Sequence, residues 1–224
     1  MRPDETRAKI LAATDHLFGE LGFDATTTRD IASRSGVNKA LIHYHFGSKE
    51  ELLGELLDDY YRRLTIALVG AMARSALLED QAADVADAYG EFLAENRTFC
   101  SIVQREVASG RHVERLVSRT LPSFRAAAEW LARLAPGAPG DLELAQVLTS
   151  VYGMIVTYFT YGRVLEALTG QDPFCPAALD ARKRHIRRVV ALLIREMVAA
   201  PASGGGESPC PRSTPGTPRK RRGS

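Results

Sequence analysis

The chain has 224 residues, of which 45% are hydrophobic and 25% charged, with a formal net charge of +2. That is enough apolar material for one long or two modest packed domains, and the composition is an ordinary soluble one. The basic excess lies in residues 201–224, where Arg212, Arg219, Lys220, Arg221 and Arg222 stand against one acid, Glu207, so residues 1–200 carry −2 and any nucleic-acid footprint there must come from the placement of charge.

The opening MRPDETRAKI puts charges where an export signal needs an apolar run, so a cytoplasmic protein is expected. Apolar side chains at Ile10, Leu11, Leu17 and Phe18 recur with helical period, and Gly22 suits a left-handed cap at the end of that first helix. Thr27 with Asp30 makes a capping box for a second helix that Gly36 stops. Asn38 caps a third helix through Phe46, and Ser48 with Glu51 heads a fourth, whose Leu52, Leu53, Leu56, Leu57, Tyr60 and Leu64 form a wide apolar face.

Beyond residue 75 the period stays helical, with helices expected over 81–96, 98–108, 111–135, 142–168 and 177–199, and no strand pattern. Residues 144–162 lack a charged side chain, but Gln146, Thr149, Ser150, Thr157 and Thr160 dilute the run, and a helix buried between protein surfaces is expected there, with no membrane contact. From Pro201 the composition turns to Pro, Gly, Ser and Thr, a disordered basic tail. Cys100, Cys175 and Cys210 are odd in number and widely spaced, which argues against a disulfide framework or zinc site; no metal or other cofactor is expected. His43 and His45, two residues apart on a helix, point to different faces and make no metal pair.

Residues 26–46, TTTRDIASRSGVNKALIHYHF, have the layout of a helix-turn-helix: a tight Ser-Gly-Val turn, inner apolar residues Ile31, Ala32, Val37 and Ile42, and outward Lys39, Leu41, His43, Tyr44 and His45. Thr27 and Thr28 at one helix start, and Ser48 and Lys49 at another, bring free amide donors and a favourable dipole to a phosphate backbone.

The stretch GFDATTTRDIASRSGVNKALIHYHFGSKEEL resembles the N-terminal signature of the tetracycline-repressor-like (TetR/AcrR) family of bacterial transcriptional regulators, densely over residues 8–57 and only architecturally over 75–200. The resemblance implies an all-α fold: a three-helix helix-turn-helix domain over residues 1–47, a helical ligand-binding and dimerisation domain over 48–200, and the tail over 201–224. It implies that Thr28, Tyr44, His45 and Lys49 touch phosphates while Lys39, Ala40, Leu41 and His43 face base edges. Ala40 and His43 stand where many members carry other residues, so the operator cannot be borrowed from relatives.

Nine aromatic residues lie between Tyr89 and Tyr161, and Tyr89, Phe92, Phe99, Phe124, Trp130, Tyr152 and Tyr158, with Gln104 and Arg105, are candidates for lining an effector cavity. Ile186, Val189, Val190, Leu193 and Met197 form a stripe on the last helix. With Met154 and Tyr161 on the helix before it, they are candidates for the homodimer interface that the resemblance implies. Two-fold symmetry would then present two reading helices to a near-palindromic operator in double-stranded DNA. The expected function is a ligand-responsive repressor, not an enzyme, that releases its operator on binding a small apolar or amphipathic effector. An activator, a DNA-binding protein without a ligand, and a helical carrier or enzyme are the alternatives; no GxSxG, Walker loop, HExxH or GxGxxG supports the last.

Overall fold

Local capping chemistry sets the ends of the first four helices. In the computed structural model, which describes residues 3–110, 113–134 and 141–199, α1 spans Pro3–Glu20 and is followed by Gly22 at φ 87°, whose N–H donates to the Phe18 carbonyl. α2 (Thr28–Ser35) starts on a complete capping box: Asp30 N–H donates to Thr27 Oγ1, and Thr27 N–H donates back to Asp30 Oδ2 at 2.8 Å. Gly36, at φ 66°, ends it, and Val37 N–H reaches the Ala32 carbonyl at 3.2 Å, a Schellman-type turn that folds α3 (Lys39–Phe46) against α2. Asn38 Oδ1 accepts from Ala40 N–H to start α3, and a second capping box, Ser48 with Glu51, starts α4 (Lys49–Met72).

The apolar sides of these helices share one core. Ile10, Ala13, Leu17 and Phe18 of α1, Ile31 of α2, Ile42 and Phe46 of α3, Val37 of the turn, and Leu52, Leu53 and Leu57 of α4 are all buried together. Burying each of the larger ones stabilises by about 1.5–3 kcal/mol. With that side sealed, α2 and α3 present their remaining faces, polar and apolar mixed, outward.

Six helices follow: α5 (Leu78–Glu95), α6 (Arg97–Ser109), α7 (Val113–Leu134), α8 (Asp141–Thr160), α9 (Gly162–Thr169) and α10 (Pro176–Ala199). Among the described residues there is no strand, and no helix is long and apolar enough to cross a membrane. The tail expected over 201–224, with Cys210, lies outside the described residues.

Two expectations are corrected. The single helix expected over 142–168 breaks at Tyr161, which leaves helical geometry at φ −95°, ψ 17°. Beside the break Gly162 lets the Phe174 ring come so close that a Cβ there would sit 2.3 Å from Phe174 Cζ. Phe159 stacks on the same ring at 5.9 Å, the Arg97 guanidinium covers it at 3.8 Å, and Tyr158 donates its hydroxyl to the Pro173 carbonyl at 2.6 Å. The 170–175 loop is thereby pinned against the end of α8.

The second correction concerns α10. Ile186, Val190 and Met197, expected to face a second copy, are buried within their own chain with Ile194, and α10 packs along α5, where Ala86 lines the same cavity as Ile186. Small residues on α5 let the two helices approach closely, so the α10 stripe satisfies its apolar demand internally. Ion pairs flank the seam: Arg187 bonds Asp84 at 2.9 Å and also Asp87, and Lys183 bonds Glu91 at 2.6 Å. Val189 and Leu193 remain half-buried, and Tyr161 is exposed.

α4 joins the two halves. At its start Lys49 bonds the α1–α2 loop, and Glu55 pairs with Arg7 of α1; further along, Asp58 pairs with Arg119 of α7, and Tyr61 accepts from the Thr120 hydroxyl at 2.9 Å. α1 also touches α6 directly. A Cβ on Gly19 would lie 2.7 Å from Thr98 Cγ2, and Arg105 donates to the Glu20 carbonyl at 3.0 Å.

Candidate nucleic-acid interface

α3 exposes Lys39, Ala40, Leu41, His43 and Tyr44, while Ile42 and Phe46 of the same helix are buried. Tyr44 is the most outward of the large apolar residues here, 81% exposed, and its ring meets His45 edge-on at 5.2 Å. His45 itself is half-buried and lies 6.3 Å from the Phe46 ring. A protruding helix with apolar anchors behind and mixed polar and apolar side chains in front has the shape that a major groove of about 12 Å admits.

Three of the sequence-predicted contact residues have internal partners. His43 donates from Nδ1 to the Gly47 carbonyl, which leaves Nε2 facing outward. Thr27 donates its hydroxyl to Asp30 Oδ2 at 2.6 Å, so it is first a capping residue. Thr28, half-buried, and exposed Arg29 occupy the first turn of α2, where a helix has no internal acceptor for the N–H groups.

Lys49 is more committed. Its ammonium donates to the carbonyls of Phe23 at 2.8 Å and Thr26 at 2.9 Å and lies 4.2 Å over the Phe23 ring. Its main task in this structure is to tie α4 to the loop before α2, and one of its three N–H donors remains for a phosphate.

The Asp30 carboxyl is held below the usual carboxylate range, first by the Thr27 hydroxyl, then by the Thr27 backbone N–H. A carboxylate so engaged stays in the α2 cap and away from approaching phosphates. Residues 1–50 hold seven Lys or Arg and seven Asp or Glu, so the geometry of this face, and not net charge, favours DNA.

The nine residues expected to line an effector cavity do not come together as one wall. Phe92 and Phe99 pack with Tyr60 in the core, ring centroids 6.3 and 4.9 Å from it. Tyr89 stacks on Tyr152 at 6.0 Å, and burial pushes both phenols up. Gln104 and Arg105 lie on the exposed side of α6: Gln104 donates to Thr160 Oγ1 at 2.8 Å, and Arg105 braces α1. Tyr158 anchors the 170–175 loop, Trp130 packs half-buried against the core, and the Phe124 side chain lies outside the described ones. A cavity of about 160 Å³ does open among α5, α8 and α10, and none of the nine lines it. Sequence reading missed its residues because it sought aromatics; the available signal was the spacing of Ala86, Gly90 and Ala94, which keeps one side of α5 small.

The family model described as "Bacterial regulatory proteins, tetR family" matches residues 10–56, from α1 into α4. An HTH-type transcriptional repressor of Mycobacterium tuberculosis is 31% identical over 169 residues, which cover 75% of this chain and 80% of that protein. The repressor KstR2 of the same species is 43% identical over 51 residues, 23% of this chain and 26% of its own. Its solved structure, described as a ketosteroid transcriptional regulator, superposes with a TM-score of 0.63 at 20% identity, covering 83% of this chain and 92% of that one. The fatty acid degradation regulator FadR from Bacillus halodurans gives 0.68 at 14% identity over 83% and 94%. At those two identities the likeness is one of fold.

Proposed function

The chain belongs to the tetR family of bacterial regulatory proteins and is a DNA-binding transcriptional regulator, and from that premise we infer that it works as a repressor whose dimer releases its operator when a small apolar or amphipathic effector binds the helical half. The observation that carries the reading is the outer face of α3: Lys39, Ala40, Leu41, His43 and Tyr44 project from a helix whose other side is locked into the core of α1, α2 and α4. Tyr44, His45 and the α2 first turn position the module on phosphates; Lys39, Ala40, Leu41 and His43 meet base edges.

A single copy with a charge-balanced head binds weakly, and two copies joined by symmetry read two half-sites. With Ile186, Val190 and Met197 covered internally, the dimer surface uses apolar residues that α9 and α10 leave out, Leu168, 77% exposed, and Leu192, 56% exposed, with half-buried Val189 and Leu193, and Tyr161 between α8 and α9.

α4 is the lever. Its first turn is bolted to the reading head through Lys49 and its middle to α7 through Asp58 and Arg119, so a shift of the helical half moves the head. An effector lowers operator affinity only by its preference between the two head separations, about 1–3 kcal/mol of coupling in typical cases. The role is therefore regulatory and not catalytic. Deleting the gene and measuring transcripts next to its genomic footprints tests the sign: transcripts rise if the protein represses, and a fall would make it an activator.

A further inference from the structure

The outer face of α3 is not uniformly polar. Ile42 and Phe46 are buried in the core, so the far side of the helix is centred on Ala40 and Tyr44, one turn apart. Leu41, three residues before Tyr44, lies on one flank of that pair, and Lys39 and His43, also one turn apart, lie on the other. All five are exposed, Leu41 to 40% and Tyr44 to 81%. The face is thus divided lengthwise into an apolar strip, Ala40 and Leu41 with the Tyr44 ring beside them, and a polar strip, Lys39 and His43.

A single exposed leucine is ordinary. A strip of apolar side chains on the helix that enters a groove has a consequence, because it decides which base edges lose least on contact. Guanine and adenine present N7 with O6 or N6, and cytosine presents N4; each gives up water to an apolar side chain and gains no partner. Thymine alone of the four carries an apolar group on the groove wall, its C5-methyl. The Leu41 backbone N–H donates to the Asn38 carbonyl at 2.9 Å, so this residue offers a duplex its side chain only. His43 is held on its own flank by the bond to the Gly47 carbonyl, and α3 contains no acid that would compete for the contact.

We propose that Leu41, with Ala40 beside it, reads the C5-methyl group of a thymine in each operator half-site, while Lys39 and His43 read polar base edges on the other flank. This rests on the regulatory reading for the docking of α3 in the major groove, and adds what the apolar strip recognises there.

The test starts from the duplex that the full chain selects from a random pool. Deoxyuridine lacks only the methyl group of thymidine and keeps its O4 acceptor, so the thymines are replaced by it one at a time. Binding should weaken about fourfold at one position, the value of one buried methyl-sized group, and about fifteenfold when both half-sites are changed. In Leu41→Ala the two bases should bind alike at that position, whereas in Leu41→Met and in Lys39→Ala the difference persists. A purely structural role for Leu41 would weaken every duplex alike and leave the ratio of the two bases unchanged in Leu41→Ala. 5-Methylcytosine carries the same methyl and should bind more tightly there than cytosine but less tightly than thymine. Tightest binding of 5-methylcytosine would reassign the strip to methylated DNA and overturn the assignment to thymine. So would a selected duplex in which no thymine is sensitive to loss of its methyl, or a sensitivity that survives Leu41→Ala; both leave sequence-selective binding intact. Selection of no duplex at all would instead sink the regulatory reading, and this assignment with it.

Discussion

The His43 imidazole donates from Nδ1 to the carbonyl oxygen of Gly47, the residue that ends α3 at φ 71°. With Nδ1 protonated, Nε2 of the neutral ring is an acceptor, and the bond holds the ring in one orientation. An outward acceptor in a major groove pairs with an exocyclic amine, adenine N6 or cytosine N4, and not with the carbonyls of guanine or thymine. His43→Phe should therefore flatten the preference at one operator position by about 1–3 kcal/mol, roughly ten- to hundredfold, and leave the others unchanged. Selection from a duplex library randomised at each position reads this directly; an unaltered preference at every position removes His43 from the reading set.

Tyr60 on α4 donates to Asp15 on α1 at 2.5 Å and also meets Thr98 on α6 at 2.9 Å. Burial, then the Asp15 bond, pushes its phenol far up, so the hydroxyl keeps its hydrogen at any working pH. Tyr60→Phe keeps the packing and leaves the Asp15 carboxylate one donor short, which should cost about 1–3 kcal/mol in urea unfolding. A midpoint that does not move would show that Thr98 or water replaces the lost donor in full.

The close seat of Phe174 on Gly162 predicts a steric loss. Gly162→Ala forces the added methyl into the ring, at an expected cost of about 1–3 kcal/mol despite alanine's better helix propensity. Combining it with Phe174→Leu should recover part of that loss, a non-additivity that thermal unfolding of the double-mutant cycle measures. Simple addition of the two effects would mean that the contact is not shared.

Asp30 supplies a pH signature. Its carboxyl is lowered by the Thr27 hydroxyl and the Thr27 backbone N–H, so the cap's contribution to stability is present above the ordinary carboxylate pKa and lost as pH falls through the lowered one. Carbon-detected NMR should find the Asp30 midpoint below the usual aspartate range in the native chain and moved upward in Thr27→Val, which keeps the backbone donor and removes the hydroxyl. Equal midpoints would deny the hydroxyl its role.

Much of the reading head is visible in the primary sequence because its determinants are local. Thr27 with Asp30, Gly36, Asn38, and Ser48 with Glu51 each act within three or four residues, and each caps or stops a helix where its own chemistry requires. The helical half is less legible because its outcomes depend on distant partners. Nothing near Ile186 reveals that Ala86, a hundred residues earlier, shares its surroundings. Likewise the close seat of Phe174 on Gly162 beside the break at Tyr161, and the bonds of the Lys49 ammonium to the Phe23 and Thr26 carbonyls, join residues far apart in the chain. Aromatic density alone does not distinguish a cavity wall from a packed core, which is why Phe92 and Phe99 belong to the latter.

The measurement closest to the central claim is selection of bound duplexes from a random DNA pool by the purified chain, with its mass in the complex determined by light scattering. The account predicts two chains per duplex and an inverted repeat whose half-sites lie about one helical turn, or a multiple of it, apart, with enrichment lost on Lys39→Ala together with Tyr44→Ala. Enrichment of no sequence over competitor, or a single unrepeated site held by one chain, would contradict it.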